Sequence, residues 1–257
     1  MARGAWALRN NTNRSRLKGS TMKSKLGLLA ALLVAAGMAA PAAAHEAGTW
    51  IVKGGVGMVD PQSNNGDFGD VDLGDGNTLV NSHFEVDDDT SVVLSFTYML
   101  LDNWAVDILL ATPFEHDVDL TGTVNGSTVT AGIGSTEHLP PTLSLQYHFM
   151  PDATFQPYVG LGVNYTLFFS EEVTQFSRDL DLVDIELDDS SGIAAQLGAD
   201  WVFRDDWLVS FDVRWMQIRS DLKLSVDVDG EIISGVDTPG NVEIDPWVYS
   251  LMLGKRF

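Results

Sequence analysis

The chain contains no cysteine, which excludes a disulfide scaffold, a thiolate metal site and a cysteine nucleophile together. Basic residues are scarce outside the N-terminal region. Seven of the fifteen lysines and arginines fall within residues 1–44, which hold no acid, so the residues that follow set eight bases against all thirty-six acids. That balance excludes a nucleic-acid partner. Beyond residue 44 no stretch reaches the ~20 apolar residues of a membrane-spanning helix, and helical periodicity is rare. Disorder is excluded as well, because 45% of the chain is apolar and seven tryptophans are present.

The N-terminal region has a basic start (Arg3 to Lys25), an apolar run (Leu26 to Ala40) and the small residues Ala42-Ala43-Ala44. This is the pattern of a secretory signal peptide, with cleavage expected after Ala44. Met22 to Ala44 already makes a complete signal, so Met22 is the expected start and residues 1–21 an upstream extension.

From residue 45 onward the hydropathy alternates with period two. One parity is apolar in Val92-Leu94-Phe96-Tyr98-Leu100, in Trp104-Val106-Ile108-Leu110, and in Leu143-Leu145-Tyr147-Phe149. The same holds from Phe155 to Leu167, Ile193 to Phe203, Trp207 to Trp215 and Trp247 to Phe257. With a weaker, Gly-rich segment from Trp50 to Met58, this predicts eight strands. Their connections alternate: short turns at 101–103, 150–153 and 204–206, and long polar loops at about 60–90, 114–140, 169–190 and 219–242.

Even strand number, alternating loop length and both ends on the short-turn rim predict an all-β fold, an eight-stranded antiparallel up-and-down barrel over residues 45–257. The apolar parity is almost free of charge over ~10 residues, the span of a tilted transmembrane strand. Aromatics sit at strand ends as an interfacial girdle requires, and a closed barrel satisfies every backbone group in lipid. With the signal peptide, the expected location is a Gram-negative outer membrane. Phe257, on the apolar parity at the C-terminus, is the expected contact for the barrel assembly machinery. The expected surroundings are outer-membrane lipid and lipopolysaccharide, around a monomer.

Several runs carry a family likeness: His45-Glu46-Ala47-Gly48, Phe96-Thr97-Tyr98-Met99, Asp102-Asn103 leading to Ala111-Thr112-Pro113-Phe114, His138-Leu139-Pro140-Pro141-Thr142, Pro157-Tyr158-Val159-Gly160 through Asn164-Tyr165-Thr166, and Asp245-Pro246-Trp247-Val248. In these runs and their order, residues 45–257 resemble the outer membrane protein W (OmpW) family. The resemblance implies an eight-stranded barrel with a mostly apolar lumen. It also implies passage of small hydrophobic molecules that leave sideways into the bilayer.

The other parity can be read independently. Lys53, Asp107, His148, Asp200, Asp212, Arg214 and Arg256 lie on it near the short-turn rim. A barrel of eight strands is only wide enough for side chains to fill, and buried charges must pair, so these residues predict an ionic plug. Higher up the same parity becomes apolar, with Leu109, Ala111, Phe168, Ala194, Met216, Ile218 and Val248, a cup suited to a small hydrophobic ligand. Pro113 ends the third strand while Pro140 and Pro141 open the fourth. Proline gives the ladder no N–H, so a lateral opening is expected at this seam.

Two other functional classes have weaker support. The carboxylates clustered in 60–89 and 171–189 suggest a surface barrel that binds Ca²⁺ or Mg²⁺ or presents acidic loops without transport. No segment has the full calcium-loop spacing, and no metal site or cofactor is assigned. Catalysis would need a nucleophile, base and orienting group. His83, His116 and His138 lie in the long-loop regions near Ser82, Ser135 and Asp117, but no nucleophile motif is present and no catalytic residue is assigned.

Overall fold

The computed structural model describes residues 46–257 apart from 63–64, 75, 175–176, 179–181 and 229–230. The expected signal segment 1–44 lies outside the described residues. Fifteen strands follow in order: β1 (Trp50–Asp60), β2 (Asn65–Gly74), β3 (Asn77–Val86), β4 (Asp89–Leu101), β5 (Trp104–Ala111), β6 (Phe114–Val124), β7 (Ser127–Leu139) and β8 (Thr142–His148). Then come β9 (Phe155–Val173), β10 (Leu182–Leu187), β11 (Ser190–Val202), β12 (Trp207–Met216), β13 (Arg219–Val228), β14 (Glu231–Glu243) and β15 (Trp247–Arg256).

Eight of them form the barrel. Their order around the ring is β1-β4-β5-β8-β9-β11-β12-β15, all neighbours antiparallel, and β1 pairs with β15 to close it. The eight predicted strands and three short turns are all present. At the closure Trp50 and Phe257 exchange backbone hydrogen bonds of 3.1 and 2.8 Å, so both ends of the barrel chain lie on the short-turn rim.

The four long connections are stranded, which corrects their reading as loops. β5 continues past Pro113 into β6, and β7 runs through Pro140-Pro141 into β8, so the β6–β7 hairpin extends the wall upward, joined by β2 and β3. β10, β13 and β14 form a separate three-stranded sheet. The hairpin signal lies in the sequence: Asn125 and Gly126 have φ of 51° and 80°, both positive as a type I′ turn demands. An outward face that meets water and carries acids such as Glu115 and Asp117, against a buried inward face that mixes apolar and polar residues, erases the simple alternation that marked the lower strands.

Burial in the barrel inverts the rule for a water-soluble fold. On β8, Leu143 and Leu145 are 48% and 46% exposed while Thr142, Ser144, Gln146 and His148 are buried. β12 repeats this with Phe211 outside and Ser210, Asp212 and Arg214 inside. Apolar side chains outward and polar ones inward suit lipid as the solvent. At the short-turn rim the outward aromatics interlock: Trp50 lies 4.8 Å from Tyr98, Trp104 5.1 Å from Tyr147, and Tyr147 5.2 Å from Phe149. Lys255 reaches over Trp207 at 5.6 Å. These amphipathic rings mark the water–lipid boundary.

Candidate functional site in the barrel interior

The interior is layered. At the short-turn rim, Ile51, Met99, Ala105, Val202 and Leu208 form an apolar floor. The expectation of charge near this rim does not include this apolar layer. The floor came from strand ends where the alternation was too short to reveal it.

Above the floor lies the charged layer. Arg214 donates to Asp107 at 3.1 Å and through Nε to Asp212 at 3.4 Å. β12 and β5 stand opposite each other in the ring, so the Arg214–Asp107 pair bridges the lumen. Lys53 of β1 lies 5.3 Å from the ring centre of Tyr158 on β9, a second bridge between opposite strands and a cation–π contact. Desolvated charges need hydrogen bonds beyond the ion pair, and the wall provides them. Thr97 donates to Asp107 at 2.7 Å, and Ser95 donates to the same oxygen. Gln196 and Tyr158 donate to Asp212 at 2.7 and 3.1 Å.

All seven expected plug residues are buried. Arg256 turns to Asp206 in the 3-10 turn at 204–206, at 3.0 Å. His148 sits beside Gln146 at 3.1 Å and 5.0 Å from Tyr158. Asp200 is fully buried on β11. Tyr158 is not among the expected plug residues, although a large aromatic on the inward parity of β9 next to Gly160 and Gly162 was a signal. It faces Gly198 across the β9–β11 ladder, and a Cβ there would stand 2.4 Å from the Tyr158 ring. Gly198 is what allows the ring to lie flat against the wall.

Above the charges the interior is apolar. Leu109, Phe168, Ala194, Met216, Ile218 and Val248 form one buried cluster, with Ala111 packed against it. Every expected cup residue is brought together. Val59, Val93, Phe114, Ile244 and Met252 complete the cluster. Phe114 was missed because Pro113 shifts the parity after β5.

The cluster borders an interruption in the wall. The β5–β8 ladder ends at Leu109↔Thr142, and the β6–β7 ladder begins at Phe114↔His138. Between these pairs, 110–113 face 139–141 without a backbone hydrogen bond among the described residues. Three prolines lie in this interval. Each side remains tied elsewhere: Thr112 N–H donates to Val92 O at 2.9 Å on β4, and Tyr165 N–H donates to Pro141 O at 3.1 Å on β9. Thr142 covers the Pro140 carbonyl at 3.0 Å and lies 3.3 Å from the Met216 sulfur across the lumen.

His116 and His138 stack with centroids 4.9 Å apart, between Phe114 and Phe168. The outward residues at this height, Glu115 and Glu137, form a ladder pair, which places it above the hydrocarbon. His83 lies elsewhere, half-exposed and 3.4 Å from Glu85. Among the described residues no three His, Asp or Glu side chains converge as a metal would need.

A sequence model of the OmpW family matches residues 46–257. Outer membrane protein W of Escherichia coli K12 is 36% identical, the match spanning 89% of this chain and 98% of the relative. The Vibrio cholerae protein of the same name is 35% identical over 90% of this chain and 97% of its own. The crystal structure of OprG from Pseudomonas aeruginosa superposes with a TM-score of 0.70 at 34% identity, covering 83% of this chain and 98% of that one. AlkL in lipid bilayers shares the fold, with a TM-score of 0.56 at 24% identity over 86% and 95%. The inverted burial, the closed ring of eight strands and these matches agree: the chain is an outer-membrane β-barrel and belongs to the OmpW family.

Proposed function

We propose that the barrel lets small hydrophobic molecules cross the lipopolysaccharide layer passively. They leave water for the apolar cluster and pass sideways into the bilayer between 110–113 and 139–141. The observation that carries this reading is the juxtaposition of three features. Leu109 and Phe114, members of the apolar cluster, are the residues at the two edges of the wall interruption. Directly beneath, the Arg214–Asp107 and Lys53–Tyr158 contacts bridge opposite strands. A hydrophobic molecule in the cluster therefore has ions below it and lipid beside it. Met216 and Met252 line the cluster with flexible, polarizable side chains that repack around varied shapes. The barrel performs no chemistry on its cargo.

The test is uptake of a fluorescent hydrophobe by cells carrying the barrel. Replacing Pro140 and Pro141 by valine restores N–H donors to the seam, and the expected outcome is a several-fold loss of uptake with the barrel still folded. Unchanged uptake would remove the sideways exit. Uptake no faster than in cells lacking the protein would leave a scaffold that presents its acidic extensions.

A further inference from the structure

The proposed path runs past two imidazoles that an apolar cup does not require. His116 and His138 are 2% and 1% exposed, and they stack against each other and against Phe114 and Phe168, both members of the apolar cluster. Nε2 of His116 and both ring nitrogens of His138 are buried without a hydrogen-bond partner. Polar atoms left in this state cost stability unless something pairs with them. A bond to the Asp87 carbonyl accounts for Nδ1 of His116, but packing, which phenylalanine would satisfy as well at 138, accounts neither for Nε2 of His116 nor for the two ring nitrogens of His138.

The tautomer of His116 follows from its neighbour. Its Nδ1 lies 2.6 Å from the Asp87 carbonyl. A carbonyl only accepts, so Nδ1 carries the proton and Nε2 of the neutral ring offers a lone pair. Neutral His138 offers one N–H and one lone pair whichever tautomer it adopts. The two rings together present one donor and two acceptors within a stack 4.9 Å between centres.

A hydroxyl both donates and accepts through a single oxygen, whereas a carboxamide would bring a further N–H to be desolvated. A ketone would use the donor and leave the acceptors unpaired. A carboxylate would meet Asp87, Asp88 and Asp89, whose charge is felt at His116. An ammonium would strand the N–H and would be desolvated in the apolar cluster below.

We infer that the cargo preferred by this barrel is a small hydrophobe bearing one neutral hydroxyl, a phenol or an alcohol, read by His116 and His138 at the mouth of the apolar cluster. The inference rests on the proposed uptake function and narrows its substrate class.

Naphthalene and 1-naphthol, which differ by the hydroxyl, separate the possibilities. They are titrated into the full, detergent-folded barrel, with partitioning into empty micelles subtracted. The expected result is about tenfold tighter binding of 1-naphthol, the worth of one net hydrogen bond. In the double variant H116F/H138F that preference falls to near unity while naphthalene still binds. The unmutated protein gives a second readout: 1-naphthol moves the ¹⁵N resonances of the two imidazoles and naphthalene leaves them in place. Equal binding of both compounds, or a preference that survives in the double variant, overturns the hydroxyl inference alone. Binding of neither overturns it together with the uptake function.

Discussion

Arg214 is the residue on which the charged layer depends. It is 1% exposed and touches Asp107 and Asp212, which are fully buried. Breaking a buried pair by removing one partner typically costs about 3–5 kcal/mol, because the other charge stays behind in a low dielectric. Arg214→Met keeps the stem and deletes the charge. We expect it to lower unfolding stability in guanidinium by about that amount, and addition of Asp107→Leu to recover part of the loss. A single variant as stable as the parent would mean that water reaches the layer. The inward, buried placement of the seven residues was legible because polar and charged side chains on that parity stand out against the apolar one. Their partners were not: Ser95, Thr97 and Gln196 are ordinary polar residues on a strand, and it is the register of neighbouring strands that sets Thr97 opposite Asp107, Ser95 diagonal to Asp107 and Gln196 diagonal to Asp212.

At the scale of elements, the strands most easily read were those with lipid on one side and packed interior on the other. β8 and β12 alternate because their two faces meet different solvents. β6 and β7 were read as a loop because their outward face is acidic and their inward face mixes Phe114 with His116 and His138. This hairpin carries the pH dependence of the molecule's outer part. Burial lowers the pKa of His138 from 6.5 to about 3, and the neighbouring His116 adds to the shift. Burial lowers His116 too, against the opposing field of Asp87, Asp88 and Asp89. Both rings are therefore neutral in the closed hairpin, whereas an opened hairpin takes up protons near 6.5. The opened form binds more protons between 6.5 and about 3, so closure is fully favoured above 6.5 and is lost progressively as pH falls through that window. Asp87 and Asp119 work the other way, their pKa values raised by burial first and then by neighbouring acids. The expected outcome is broadening of amide resonances in 114–139 on acidification from pH 7 to 4. In H116F/H138F that histidine-dependent part disappears. Identical profiles for the two proteins would assign the change to the carboxylates.

For the whole molecule, the decisive property is which side of each strand meets lipid. Among the described residues the closed ring pairs its barrel strands on both sides except at the interruption between 110–113 and 139–141, and its outer surface displays Leu161, Val163, Ile193, Leu197 and Phe211 at 50% exposure or more. In water that surface would associate without limit; in a bilayer it is the stabilising face. Leu197 tests this directly. It is 60% exposed and pairs with Val159 and Val213, well inside the strands on both sides. A lysine or arginine on the lipid face near the bilayer midplane costs about 2–4 kcal/mol, falling to about 0–1 near the interface. Leu197→Arg is therefore expected to lose about 2–4 kcal/mol of unfolding stability in phospholipid bilayers. Glu115→Arg, outward on β6 above the hydrocarbon, is expected to change it by less than about 1 kcal/mol. The contrast between the two positions carries the argument, since both are outward and take the same side chain. Equal costs at both would mean that the apolar face does not border hydrocarbon, and a hydrophobe leaving through the seam at Pro113 and Pro140 would then have no lipid to enter.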